Sequence, residues 1–157
     1  MSATEYAIEL ARVVAYAALD KKGFDIVALD VSEHLAITDI FVVISAANER
    51  QVSAVVDAVD KAMHEHKAHR ARREGERENR WVLLDYGNFV VHVQREAERE
   101  FYGLDRLYAD CPAIEVEGLE PYERPTAFGD EAELRQAQNI EDLPLAGEGP
   151  AAADDEY

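Results

Sequence analysis

The sequence is poor in cysteine, in basic residues and in long apolar runs, and each shortage excludes a class of protein. Its one cysteine, Cys111, cannot form an internal disulfide, which is typical of a chain kept in a reducing compartment. Only 16 lysines and arginines accompany 33 acidic residues, so the net charge is −17. Phosphate backbones and anionic lipid repel such a surface, and no apolar run approaches the ~20 residues of a membrane helix. We therefore expect a cytoplasmic protein that makes no membrane contact and no direct sequence-specific contact with nucleic acid.

Composition divides the chain into a domain and an acidic tail. A hydrophobic content of 48% over 157 residues is sufficient for one globular domain, which we place at residues 1–117. Residues 118–157 carry eleven acidic residues, two basic residues and four prolines, a composition that favours disorder. We expect a partly disordered, solubilising tail in which residues 130–139 could form a marginal helix.

Hydrophobic periodicity predicts seven elements in the order α-β-β-α-β-β-α. They are a helix that is capped at Ser2 and runs to about Leu19, strands over 25–31 and 39–45, a helix over 49–67, strands over 81–85 and 89–94, and a helix over 96–108. The first two strands are joined by too few residues for a crossover helix, which favours antiparallel neighbours. The predicted fold is α/β, a mixed β-sheet covered by helices largely on one face.

Three further features of the chain complete this outline. Residues 68–80 are polar and mostly charged, which indicates an exposed loop, and residues 114–116 alternate and could add a short edge strand. In the last helix Ala97, Phe101, Leu104 and Tyr108 recur every three or four residues, which predicts one apolar stripe.

The histidines offer little support for a metal or catalytic site. His66 and His69 share a helical face, but His64 lies off it, and no cysteine or aspartate completes a zinc-binding spacing. His92 lies in mid-strand, where a hydrogen-bonded structural role is favoured over that of a base. No neighbour that would lower the pKa of Cys111 is evident, so we do not expect a nucleophile there.

Carboxylates at strand ends leave an enzymatic alternative open. Asp25, Asp30, Asp39 and Asp85 could serve a metal-dependent nucleotidyltransferase. Such chemistry needs carboxylates that converge on a metal pair and a glycine-rich phosphate-binding turn. The turn before the second helix contains no glycine. We expect no catalytic residue, no bound metal and no cofactor.

Trp81 and the last helix carry the residue types that dominate protein interfaces. Trp81 follows a charged loop, and Tyr102, Tyr108, Arg99 and Arg106 lie nearby in the sequence. Composition leaves a surface position and a core position for Trp81 equally open.

A longer pattern around these residues resembles a known family. Trp81 is followed by Asp85-Tyr86-Gly87, then Val90-Val91-His92-Val93, Arg99, Phe101-Tyr102, Leu104-Asp105 and Leu107. Together with residues 25–31 and 38–43, the pattern resembles the ribosomal silencing factor (Iojap-like) family over roughly residues 4–110. The tail beyond about residue 117 is not part of the resemblance.

The resemblance implies a fold, a partner and a mode of action. It implies a nucleotidyltransferase-like fold without that fold's chemistry and a homodimer when free. It further implies binding to large-subunit ribosomal protein fourteen, which blocks joining of the subunits and represses translation under nutrient limitation. The same resemblance favours the surface position for Trp81. It places the partner-binding residues at Trp81, Asp85, Tyr86, Gly87, Asn88, Arg99, Tyr102, Asp105 and Arg106.

Overall fold

The computed structural model of the protein describes residues 3–70 and 72–119. Ser2, almost all of the predicted tail and the helix predicted at 130–139 lie outside these residues. The elements are α1 Glu5–Asp20, β1 Phe24–Asp30, β2 Ile40–Ala46, α2 Glu49–Glu65, β3 Arg72–Glu74, β4 Trp81–Asp85, β5 Phe89–Arg95, α3 Glu96–Tyr102 and α4 Leu104–Leu107. Within the described ranges, none of the helices combines the length and apolarity needed to cross a membrane.

The strands form one five-stranded mixed sheet in the order β1-β2-β5-β4-β3. β1 and β2 are antiparallel neighbours, as predicted, and β2 pairs in parallel with β5. The chain between β2 and β5 contains α2, β3 and β4. The two strands predicted at 81–85 and 89–94 form an antiparallel hairpin of β4 and β5. The prediction of an exposed loop at 68–80 is wrong for Arg72–Glu74, which pair with β4. Three charged residues carry no hydrophobic alternation, so backbone pairing alone defines this strand.

The two long helices lie on one face of the sheet, as expected, but the short helices α3 and α4 cover the other face. Alternate strand residues such as Ile26 and Val42 pack with α1 and α2 in one buried cluster. Their neighbours, such as Val27 and Val43, pack with α3, α4 and Cys111 in a second cluster. Because successive strand side chains point to opposite faces, two-sided burial explains the nearly continuous apolar runs of β1 and β2.

Side-chain caps begin the two long helices. Asn48 Oδ1 accepts a 2.9 Å hydrogen bond from the Gln51 backbone N–H and so caps α2 at its predicted start. In α1 the cap is Thr4, whose Oγ1 accepts from the Ala7 backbone N–H at 3.1 Å, and not the predicted Ser2. The two residues are two positions apart, and both have a side-chain oxygen that could cap.

A glycine divides the last predicted helix. Gly103 has φ 56° and ψ 47°, the left-handed conformation that ends a helix, so α3 stops at Tyr102 and α4 begins at Leu104. The change of direction breaks the predicted apolar stripe, and Phe101 is 57% exposed while Leu104 is fully buried.

The segment after α4 crosses the outer edge of β1. The Asp30 backbone N–H donates to Pro112 O at 2.8 Å, and the Ile114 N–H donates to Ala28 O at 2.7 Å. The predicted edge strand at 114–116 is reduced to an isolated bridge between Leu29 and Ala113. The edge of β1 is therefore partly covered, which limits its pairing with another chain.

Candidate functional site

The nine predicted partner-binding residues form two groups and not one patch. The hairpin group is Asp85, Tyr86, Gly87 and Asn88, and the helix group is Trp81, Arg99, Tyr102, Asp105 and Arg106. Trp81 and Asp85 lie at opposite ends of β4, four residues and so about 13 Å apart.

The tip of the β4–β5 hairpin is exposed and ordered by local hydrogen bonds. Gly87 has φ 90°, and its N–H donates to Asp85 Oδ1 at 2.8 Å. Asn88 is exposed, and its carbonyl accepts from the Asp39 N–H at 3.0 Å. The tip therefore presents a fixed polar surface beside the β1–β2 connection.

Tyr86 faces α2, on the opposite side of the sheet from Trp81. Its hydroxyl donates to Asp60 Oδ1 at 2.6 Å, and Arg70 and Arg73 form ion pairs with the same carboxylate. Burial and then the bond to Asp60 raise the pKa of Tyr86 well above its usual value, so it stays a neutral donor. Tyr86 thus anchors the hairpin to α2.

Trp81 is a core residue, so the surface position favoured by the resemblance is wrong for this structure. Its side chain is 1% exposed, and its ring centroid lies 4.9 Å from that of Tyr102, which is itself 5% exposed. The indole Nε1–H donates to His92 Nδ1 at 3.0 Å. Neither aromatic side chain presents its face to solvent.

His92 is the hydrogen-bonded structural residue that the sequence predicted. Because Nδ1 accepts from the indole, the ring proton is on Nε2, which has no hydrogen-bond partner among the described residues. Burial lowers the pKa of His92 to about 3, so the ring is neutral at physiological pH. The Trp81–His92 pair therefore joins β4 and β5 beneath α3.

Arg99 is buried too and connects α3 to the sheet. Its guanidinium donates to Ser45 Oγ at 2.9 Å and to Asp105 Oδ2 at 3.3 Å. The preceding residue, Glu98, accepts two bonds from Arg95, which also pairs with Glu49 of α2. Arg99 therefore holds α3 and α4 in place, and 8% exposure leaves it little surface for a partner.

The outward side of α3 is the apolar surface that sequence reasoning missed. Ala97, Glu100 and Phe101 are exposed, and Glu100 and Phe101 lie three and four residues after Ala97, so both neighbour it on the helix surface. We call these residues, with the half-buried Arg106 of α4, the α3 surface. The adjacent pair Phe101-Tyr102 was the available signal, since neighbouring helical residues point in different directions and Tyr102 takes the buried one here.

The strand aspartates of the enzymatic alternative do not converge. Asp30 accepts bonds from the side chain and backbone of Ser32 and from the Ala3 N–H. Burial raises the pKa of Asp30, but these hydrogen bonds outweigh it and lower the pKa overall. Asp85 accepts from Gly87, and none of the four aspartates belongs to a metal-type cluster in the described part of the chain.

A different trio meets at the end of the second face. His34 Nδ1 lies 3.5 Å from Cys111 Sγ, and His34 Nε2 lies 3.5 Å from Asp110 Oδ2. The sequence-based view that Cys111 has no histidine nearby is therefore wrong. Its sulfur is completely buried, however, which still argues against a nucleophile that must reach a substrate.

Comparison with known proteins identifies a family for the whole described domain. Residues 4–141 match the family model "ribosomal silencing factor during starvation", so the match extends beyond the predicted domain boundary at 117. A ribosomal silencing factor of Halalkalibacterium halodurans is 37% identical over 111 residues, covering 71% of this chain and 95% of the relative. A ribosomal silencing factor of Bacillus subtilis is 33% identical over 106 residues, covering 68% and 90%. A crystal structure of a Bacillus halodurans protein matches with a TM-score of 0.61 at 34% identity, covering 69% of this chain and 98% of that one.

Proposed function

This chain belongs to the ribosomal silencing factor family, and we propose that it represses translation by binding the large ribosomal subunit. In this proposal it binds ribosomal protein fourteen, blocks joining of the small subunit and acts under nutrient limitation. The observation that carries the proposal is the family match over residues 4–141, whose description names silencing during starvation.

The shape of the molecule supports occlusion in preference to catalysis. Asp30 and Asp85 are held in local hydrogen bonds, and none of the four strand aspartates joins a metal-type cluster among the described residues. An exposed Phe101 projects from α3, which the ion pair of Glu98 with Arg95 ties to the end of β5. Blocking subunit joining needs a rigid surface that covers a docking site, and it needs no reacting group.

We propose that the partner contacts the α3 surface and the hairpin tip. Phe101 supplies an apolar anchor with 57% of its surface exposed, and Arg106, Gly87 and Asn88 add polar groups. The position of α3 is fixed by buried residues that do not reach the partner, namely Trp81, Arg99 and Tyr102. Because large-subunit ribosomal proteins are usually basic, the net charge of −17 favours the encounter.

Phe101→Ala tests this contact directly. We expect binding to ribosomal protein fourteen to weaken by about 1–2 kcal/mol, because an interface aromatic loses its contact area. The matched control is Tyr6→Ala, since Tyr6 is also 57% exposed but lies on α1, on the opposite face of the sheet. Isothermal titration of both variants against the isolated ribosomal protein gives the comparison.

A subunit-joining assay then tests the mode of action. Purified large subunits are incubated with the protein before small subunits are added, and joined ribosomes are measured by light scattering. The expected result is a dose-dependent loss of joining that Phe101→Ala relieves and Tyr6→Ala does not. Unchanged subunit joining at saturating protein would exclude occlusion as the mode of action. If both variants inhibited joining equally, the α3 surface would be excluded as the partner contact.

Three further properties follow as parts of the same proposal. The free protein is a cytoplasmic homodimer, residues 118–157 form a partly disordered acidic tail, and the fold is a nucleotidyltransferase-like one used for binding. The parallel β2–β5 pair connected through α2 is compatible with that fold. Sedimentation velocity of the free chain tests the dimer, and amide exchange tests the tail, since protected tail amides would contradict disorder.

A further inference from the structure

His34, Asp110 and Cys111 bring three different metal-binding groups together from two separate segments. His34 lies in the β1–β2 connection, and Asp110 and Cys111 follow α4. One ligand atom from each residue lies within 4.8 Å of the other two. The proposed silencing function uses none of the three.

Backbone hydrogen bonds already fix the two segments that carry these residues. The His34 N–H donates to Val31 O at 2.9 Å, and the Cys111 N–H donates to Tyr108 O at 3.0 Å. Next to Cys111, Pro112 O accepts from the Asp30 N–H at the end of β1. The cluster is therefore held in position by the fold.

The separation of sulfur and nitrogen matches a tetrahedral metal site. A zinc ion about 2.3 Å from sulfur and about 2.0–2.1 Å from nitrogen separates these two ligands by about 3.5 Å. Cys111 Sγ and His34 Nδ1 are 3.5 Å apart. The Asp110 side chain is 77% exposed, so its carboxylate has room to turn towards the same ion.

The chemistry of the three groups selects a class of ion. Thiolate, imidazole and carboxylate are the ligands that zinc accepts, whereas magnesium and calcium prefer oxygen alone. We propose that Cys111, His34 and Asp110 bind one divalent transition-metal ion of the zinc type, with a fourth position left for water. The ion enters past His34 and Asp110, whose side chains are 41% and 77% exposed and cover the buried sulfur.

Such an ion would join the β1–β2 connection to the segment after α4. Both segments border the second buried cluster, where the Tyr108 ring packs 5.4 Å from Phe41. Metal binding would therefore stabilise the end of the sheet next to the hairpin tip.

Cobalt(II) titration of the full-length chain tests the site, because cobalt replaces zinc and reports its ligands. The chain contains one cysteine, so any sulfur-to-cobalt charge-transfer band in the near ultraviolet belongs to Cys111. We expect this band to saturate at one ion per chain and to disappear on addition of zinc. Cys111→Ser is expected to abolish it.

His34→Ala keeps the test independent of folding, since the side chain it removes is 41% exposed. Loss of a direct ligand is expected to weaken cobalt binding by at least about tenfold, the smaller of the losses seen for outer-shell partners. The matched control is His66→Ala, because the exposed histidines at the end of α2 could bind an ion without sulfur. It is expected to leave the band and its affinity unchanged.

Two results would overturn the site. One is the absence of a charge-transfer band at saturating cobalt in the folded wild-type chain. The other is a band whose affinity is unchanged in both His34→Ala and Asp110→Asn. Neither result bears on ribosome binding, so failure of the proposed metal site would leave the proposed silencing function untouched.

Discussion

At the scale of single residues, the buried pair Trp81–His92 shows what the sequence could and could not predict. A mid-strand histidine flanked by valines predicted a hydrogen-bonded imidazole, and this prediction is confirmed. The partner was not predictable, because Trp81 pairs with Gln94 and reaches His92 diagonally across the hairpin. The register of two strands decides that contact, and neither strand encodes it alone.

The pKa of His92 predicts a pH dependence of stability. The folded ring has a pKa of about 3, whereas an unfolded histidine titrates near 6.5. Between these values the unfolded chain binds more protons, so the free energy of unfolding falls as the pH falls. The loss is at most about 1.4 kcal/mol per pH unit for one group. Chemical denaturation at several pH values between 6.5 and 4.5 measures it.

The variant His92→Asn tests whether His92 causes this dependence of the free energy of unfolding on pH. Asparagine retains an acceptor for the indole of Trp81 but cannot titrate in this range. We expect the variant to lose stability at neutral pH yet to show a flatter dependence on pH. His66→Ala, which removes an exposed imidazole, should keep the wild-type slope. A slope unchanged in His92→Asn would show that other groups cause the acid sensitivity.

At the scale of elements, periodicity predicted the long helices and buried strands and missed the short or interrupted ones. α1, α2, β1, β2, β4 and β5 all lie within a few residues of their predicted positions. β3 has three charged residues and no apolar pattern, so only its pairing with β4 reveals it. Gly103 was visible in the sequence, but a glycine within a helical pattern can be tolerated, and here its positive φ ends the helix.

Two glycines with nearly equal φ provide a matched test of the β3–β4 connection. Gly75 has φ 92° and Gly87 has φ 90°, so alanine suffers similar backbone strain at both, about 1–2 kcal/mol. A Cβ at Gly75 would lie 2.0 Å from the Trp81 carbonyl oxygen, whereas a Cβ at Gly87 meets nothing within 4 Å. We expect Gly75→Ala to lower the free energy of unfolding clearly more than Gly87→Ala. Equal losses in urea denaturation would contradict this close approach.

The first helix offers a test of which residue caps it. Thr4→Ala removes the acceptor for the Ala7 N–H and should cost about 1 kcal/mol of stability. Ser2→Ala alters the residue that the sequence pattern favoured and should leave the thermal midpoint nearly unchanged. If the two effects were reversed, Ser2 would be the cap and the helix would begin two residues earlier.

At the scale of the whole molecule, the candidate site was the part least predictable from sequence. The resemblance assigned nine residues to one partner-binding patch. In the structure Tyr86 points towards α2 and Trp81 lies beneath α3, on opposite faces of the sheet. Alternation within one strand cannot show which face is covered by which helix. The exposed Phe101 emerges only once Gly103 has ended α3.

Net charge predicts how the whole protein meets a basic partner. Opposite charges speed encounter, so the association rate constant with ribosomal protein fourteen should fall as salt shortens the Debye length from about 10 Å at 0.1 M to about 3 Å at 1 M. Replacing Asp154, Asp155 and Glu156 by their amides changes the net charge from −17 to −14. We expect a lower association rate and an unchanged dissociation rate in surface plasmon resonance. A faster dissociation would instead indicate that the tail touches the partner.

The parallel pairing of β2 with β5 has a consequence for synthesis. Residues 40–46 leave the translating ribosome well before residues 89–95, and until then β2 lacks the neighbour that fills its inner edge. Closing so long a loop is slow compared with forming the local β4–β5 hairpin. A nascent chain that stops before residue 95 would therefore carry a largely apolar strand with one unpaired edge, and we expect chaperones to retain such chains.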